Sequence, residues 1–154
     1  MIHVRKKLIF HLWVFFLLSV IYPCVGNCFT LITSEEAAQP DAPIPRGIKT
    51  RTEGNGPQIK IHSPNLDEPL QIPFIMDIAF EASPDKTIDV DTLSIKYLKL
   101  ISIDLTGRIK PYLNNNRLIV KDVKVPRGKH RLQVFIAYIS GEKTTMEIVL
   151  NVEK

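Results

Sequence analysis

A chain of 154 residues is long enough for one domain of ordinary size with some length to spare. Its two cysteines and four histidines exclude a cysteine-rich disulfide scaffold and a multi-cysteine zinc fold. The 20 Lys and Arg against 16 Asp and Glu give a formal charge of +4, which bears on a polyanion partner only if the excess lies in the folded part.

It does not. Arg5, Lys6 and Lys7 precede an apolar run from Leu8 to Tyr22 that only His11 and Ser19 interrupt. A basic stretch followed by about 7–15 apolar residues is the pattern of a secretory signal peptide. Pro23 closes the run, and the small residues around Gly26 and Cys28 set cleavage after one or the other, so residues 1–28 are predicted to be the signal peptide. The alternative is an uncleaved N-terminal helix that anchors the chain, although the run is shorter than the ~20 apolar residues a span requires. Lipid attachment would need a small residue before the cysteine, where this chain has Pro23 and Asn27. Taking Arg5, Lys6 and Lys7 from the 20 basic residues leaves 17 against 16, so the mature chain is near neutral. At most Cys28 remains as a thiol, and periplasmic or secreted localisation is expected.

Residues 29–57 read as a Pro/Gly-rich tether. Pro40, Pro43, Pro45 and Pro57 with Gly47, Gly54 and Gly56 break any period, and large apolar residues are scarce after Ile32. Within it, Thr33-Ser34-Glu35-Glu36 fits a capping box, with Thr33 as N-cap and Glu36 three residues on, enough for one helical turn before Pro40. The alternative is that this zone docks as an added edge strand.

From residue 58 to 154 the apolar period is two. Leu70, Ile72, Phe74, Met76, Ile78 and Phe80 alternate with polar or small residues and predict a half-buried strand, with Pro73 marking an edge position or a bulge near its start. Ile59 and Ile61 form a shorter strand, and Leu93, Ile95 and Tyr97 another. Ile103 to Gly107 and Asn114-Asn115-Asn116 read as turns, because Asp and Asn bond their own backbone. Leu118 to Val125 is apolar but less regular. Leu132 to Tyr138 and Met146 to Val152 flank Ser140-Gly141-Glu142-Lys143 and predict a closing β-hairpin. About seven short strands with frequent turns predict an all-β, immunoglobulin-like β-sandwich.

Three runs carry a resemblance: Ile88-Asp89-Val90-Asp91-Thr92-Leu93-Ser94-Ile95, then Ile103-Asp104-Leu105-Thr106, then Val125-Pro126-Arg127-Gly128-Lys129-His130-Arg131-Leu132-Gln133-Val134. They resemble the small secreted immunoglobulin-like domains of bacterial surface and periplasmic proteins. Ser34 to Ala38 and Gly56-Pro57 resemble segments of small exported bacterial proteins. The resemblance implies architecture; such folds host many unrelated roles. It departs at the last hairpin turn, Tyr138 to Glu142, where many such domains carry an acid and an Asn; that weighs against calcium there.

The chemistry-bearing residues point away from catalysis. Asp85, Asp89 and Asp91 lack the glycine and terminal Glu of a calcium loop and are read as turn-shaping. His130, at a Gly-x-His step, is read as bonding back to backbone, and His62 as an exposed edge residue. No serine sits in a Gly-x-Ser-x-Gly turn. No cofactor, metal or catalytic residue is expected, and export with no aromatic-interleaved basic motif argues against nucleic acid. The candidate binding patch is Lys121, Lys124, Arg127, Lys129 and Arg131, with Tyr112 as the one available aromatic ring. The expected role is a non-enzymatic exported binding or structural accessory whose partner is an envelope protein or surface polymer, the membrane being met only during export. The alternative is a carbohydrate- or anion-binding module using that patch.

Overall fold

The computed structural model describes residues 28–43 and 51–153, with backbone alone at Arg51 and Thr52. The apolar N-terminal run, the earlier of the two cleavage positions, after Gly26, and the middle of the proposed tether lie outside the described residues. In chain order the elements are β1 (Phe29–Thr30), α1 (Ser34–Ala37), β2 (Arg51–Gly54), β3 (Gln58–Ser63), β4 (Phe74–Glu81), β5 (Ile88–Tyr97), β6 (Ile103–Asp104), α2 (Thr106–Ile109), a 3₁₀ turn (Lys110–Tyr112), β7 (Leu113–Asn114), β8 (Arg117–Lys124), β9 (Gly128–Tyr138) and β10 (Lys143–Val152).

The strands form two sheets. The first has the order β1-β8-β4-β3, with β7 also on β8; the second has the order β2-β10-β9-β5-β6. Met76, Ile78 and Phe80 of β4 with Leu118, Val120 and Val123 of β8 share one buried cluster with Leu93, Ile95 and Tyr97 of β5, Leu132, Val134 and Ile136 of β9, and Ile148 and Leu150 of β10. The fold is therefore all-β and sandwich-like, and period-two patterning is its cause: one face of each of β4, β5, β8, β9 and β10 enters the shared core and the other faces mostly out.

The closing hairpin pairs as its sequence predicts, from Lys143 opposite Ala137 to Val152 opposite Gly128. Gly141 takes φ +96° in its turn. Glu142 accepts from Lys86 and from Ser140, which together with backbone bonding hold its carboxyl down to about 2.

Three expectations shift in detail. The alternation from residue 70 overstates the strand, because β4 begins at Phe74. Leu70 instead bridges Val152 of the second sheet, so residues 70–73 cross between sheets, and Ile72 is largely exposed. β4 lies between β8 and β3 rather than at an edge, and the irregularity near its start is a register shift between Phe74 and Met76. That shift also explains the uneven pattern of residues 118–125: Asp122 sits in the left-handed region at φ 52°, and one inserted residue lets Val120 and Val123 both face inward. Residues 103–107 are not a plain turn. Asp104 Oδ1 accepts from the Thr106 amide at 2.8 Å, as an Asp turn does, and the chain continues into α2, which buries Ile109.

The zone read as a tether is docked wherever it is described. β1 runs parallel to β8, Phe29 beside Val123 and Thr30 beside Lys124, and Leu31 and Ile32 are fully buried. The capping box on α1 forms as predicted. β2 then adds an edge strand to β10, Gly54 opposite Thr144. Composition pointed the other way because its glycines looked like flexibility, whereas they serve close approach: a Cβ on Gly56 would lie 2.4 Å from the carbonyl carbon of Lys143. Overpacking of that kind costs about 1–3 kcal/mol, so Gly56→Ala is expected to lower the urea midpoint. Gly107→Ala meets nothing within 4 Å and lies in α2. It is expected to gain about 0.5–1 kcal/mol, the opposite sign in the same assay.

Candidate functional site

The polar chemistry near the core sits at the end of the sandwich where β5 leaves and β9 begins. His130 is 3% exposed, with Nδ1 2.9 Å from the Tyr97 hydroxyl and Nε2 2.7 Å from the Pro126 carbonyl. A carbonyl only accepts, so Nε2 carries the hydrogen and Nδ1 accepts from Tyr97. Burial is the largest influence on the imidazole and pushes its pKa down, with the Lys99 charge adding to it against the Pro126 bond. The expected back-bond to the chain is present, made four residues upstream.

Three cations of the sandwich hold the N-terminal segment. Arg108 donates to the Leu31 carbonyl at 2.8 Å and forks onto Glu36 at 2.9 and 2.5 Å. This lowers the Glu36 carboxyl, whose second role is the α1 capping box. Lys99, 3% exposed, donates to the Ala37 carbonyl at 2.8 Å and to Asp41 at 2.6 Å. Its ammonium is pressed down by burial, but the Asp41 and Tyr97 oxygens outweigh that and leave its pKa raised. Arg131 pairs with Glu147 at 2.7 Å and reaches the carbonyls of Ala42 and Pro43 at 3.1 and 3.4 Å. The described residues 28–43 thus pass from the edge of the first sheet, past Arg108 and Lys99, to Arg131 on the second.

This arrangement divides the predicted basic patch. Lys121 and Lys124 are exposed on β8 of the first sheet, Arg127 on the crossover, and Lys129 on the outer side of β9 in the second sheet. Outward residues of two packed sheets face opposite ways, so Lys121 and Lys124 do not share a face with Lys129. Arg131 leaves the patch altogether through its pairing with Glu147 and the docked segment.

Tyr112 fares differently. Its ring, 43% exposed, meets the Phe29 ring at 5.1 Å and 70°, an edge-on contact. It lines an open groove of about 540 Å³ with Asn114, Asn115, Asn116, Arg117 and Ile119. Arg117 is fixed by Asp77 through Nε at 2.8 Å and Nη2 at 2.7 Å. In the sequence the Asn run reads as a turn only; the short spacing from Tyr112 to Asn114 is the signal that joins the two.

The other singled-out residues have structural partners or stand apart. Asp89 Oδ1 accepts from the Asp91 amide at 3.1 Å, and Asp91 pairs with Lys110 at 2.8 Å. Thr92 bridges the irregular stretch of β5, donating to the Asp89 carbonyl and accepting from the Ala137 amide. Tyr138 is buried with its hydroxyl at the Ser83 backbone, and His62 is exposed near the end of edge strand β3. Among the described residues no three His, Cys, Asp or Glu side chains gather as a metal site would need. Comparison with protein-family models, with curated proteins and with solved structures finds no match to this chain.

Proposed function

We propose that the chain is a non-enzymatic, exported module of immunoglobulin-like fold that acts as a binding or structural accessory in the periplasm or cell envelope, with an envelope protein or surface polymer as partner. The strand order supports the fold assignment: β3-β4-β8 against β10-β9-β5 follows the A-B-E and G-F-C order of immunoglobulin sheets. The basic N-terminus and the apolar run to Tyr22 support export.

The observation that carries the accessory role is the division of labour among the ionisable groups. His130, Lys99, Arg108 and Arg131 are each engaged in holding the chain in place. Lys121, Lys124, Arg127 and Lys129 are exposed and pair with no other described residue, so the chemistry available to a partner is surface chemistry. Because these cations face different ways, a partner docks against one set at a time. Lys121→Glu with Lys124→Glu is expected to weaken retention on isolated envelope material several-fold while Lys129→Glu leaves it intact, or the reverse, with unchanged unfolding midpoints. Equal retention by all variants would remove these residues from the interface. N-terminal mass analysis of the envelope fraction tests export directly, with Asn27 or Phe29 expected as the first residue.

A second reading, a carbohydrate- or anion-binding module, is favoured by one observation, the groove at Tyr112.

A further inference from the structure

We propose that the groove lined by Tyr112, Asn114, Asn115, Asn116, Arg117 and Ile119 binds a short neutral oligosaccharide. The inference rests on the reading of the chain as a binding module and names the site and the ligand class.

The chain builds the groove from the 3₁₀ turn and the hairpin that follows it. β7 and β8 pair with Leu113 opposite Leu118 and Asn114 opposite Arg117, so Asn115 and Asn116 form the tip, with Asn115 left-handed at φ 51°. Alternation along β8 puts Arg117 and Ile119 on the outward face while Leu118 and Val120 enter the core. At about 540 Å³ the space falls within the ~300–1,000 Å³ range of small-ligand sites.

Each lining group suits a sugar. Tyr112 offers a partly exposed ring, and its edge-to-face contact with the Phe29 ring braces it, so the platform is oriented before a ligand arrives. The side-chain amides of Asn114, Asn115 and Asn116 have no hydrogen-bond partner among the described residues. An amide presents both donors and acceptors, the complement of hydroxyls that do the same. Ile119, 40% exposed, supplies an apolar surface for the C–H face of a pyranose.

Arg117 decides the charge of the ligand. Its fork onto Asp77 neutralises the guanidinium and holds the Asp77 carboxyl below the usual range. The fork leaves N–H groups of the guanidinium over for a ligand oxygen, fixed in place. A site meant for an anion would carry an uncompensated cation here. The unpaired cations of the same sheet, Lys121 and Lys124, are not among the lining residues.

The test is calorimetric titration of the exported full-length mature chain with N-acetylglucosamine oligomers, cello-oligosaccharides and, as the anionic probe, polygalacturonate. Saturable binding of at least one neutral series is expected. Tyr112→Ala should weaken it about tenfold, Tyr112→Phe should retain most of it, and Asn116→Ala should weaken it several-fold. Phe29→Ala should weaken it through the lost brace alone. Unfolding midpoints check each variant; if Tyr112→Ala does not fold, Ile119→Asp, at an exposed position, replaces it. No binding of any neutral oligosaccharide, or binding indifferent to Tyr112 and Asn116, overturns the proposal. Binding of polygalacturonate alone, abolished by salt, overturns it in favour of Lys121 and Lys124. Shortened oligosaccharides in the titration cell would overturn the non-enzymatic reading while leaving the groove as the site.

Discussion

Leu31→Ala is expected to destabilise the protein by about 2–5 kcal/mol, the range for truncating a fully buried leucine. A free tether would give no measurable change, so urea denaturation separates the two descriptions of residues 29–43 directly. The loss has a ceiling: once the segment has undocked, further damage to it costs nothing more. Arg108→Ala attacks the same docking from the sandwich side, where the guanidinium holds both the Leu31 carbonyl and the Glu36 carboxylate. Hydrogen bonds to charged groups contribute about 1.5–3 kcal/mol. The double variant should fall short of the sum of the two single ones, and faster proteolysis between Thr33 and Pro43 should accompany it. Full additivity with unchanged proteolysis would mean that the segment stays seated without either contact.

His130→Ala is expected to cost about 3 kcal/mol or more, because it opens a cavity and leaves both the buried Tyr97 hydroxyl and the Pro126 carbonyl without a partner. The same residue sets a pH dependence. Its folded pKa lies below the ordinary value of 6.5, so the unfolded chain takes up the proton first as pH falls. Its contribution is therefore complete above about pH 6.5 and is lost on the way down toward the folded pKa, with a slope of at most ~1.4 kcal/mol per pH unit. Glu36 and Asp77, whose pKa values are lowered mainly by their arginine partners, act in a separate window: their stabilisation is lost below the ordinary carboxylate range, as pH falls toward their folded values. Urea midpoints measured from pH 8 to pH 5 should fall for the parent protein and lie flat for His130→Ala. Parallel curves would mean that the imidazole titrates alike in both states.

The parts of this fold that were legible in the sequence are those governed by local period. β9 as far as Ile136 and all of β10 alternate on either side of Gly141, and Leu93, Ile95 and Tyr97 enter the core as their spacing requires. The capping box at Thr33 is also a local signal, and it forms. What composition concealed is long-range. The docked segment is held through the carbonyls of Leu31, Ala37, Ala42 and Pro43, and every residue has a carbonyl, so nothing in those side chains announces the contact. Of its partners, Arg131 reads in the sequence as part of the basic patch, and Lys99 and Arg108 carry no signal there. The basic patch is spread over two sheets for a related reason: Lys124 and Lys129 lie five positions apart in the chain, but residues 125–127 form a crossover that carries them from β8 to β9. Tyr112 reads as available from its loop position, whereas the Asn residues beside it read as turn formers, their more familiar role.

The placement of β1 and β2 also governs when this protein can acquire its structure. Each pairs with a strand from the far end of the chain, Phe29 with Val123 and Gly54 with Thr144. A polypeptide delivered from its N-terminus must therefore leave both early strands waiting until nearly all of it has emerged, and such distant pairings form slowly. Under the export reading proposed above, that delay keeps a chain in transit threadable, and the sandwich closes around its own leading end only after passage is complete.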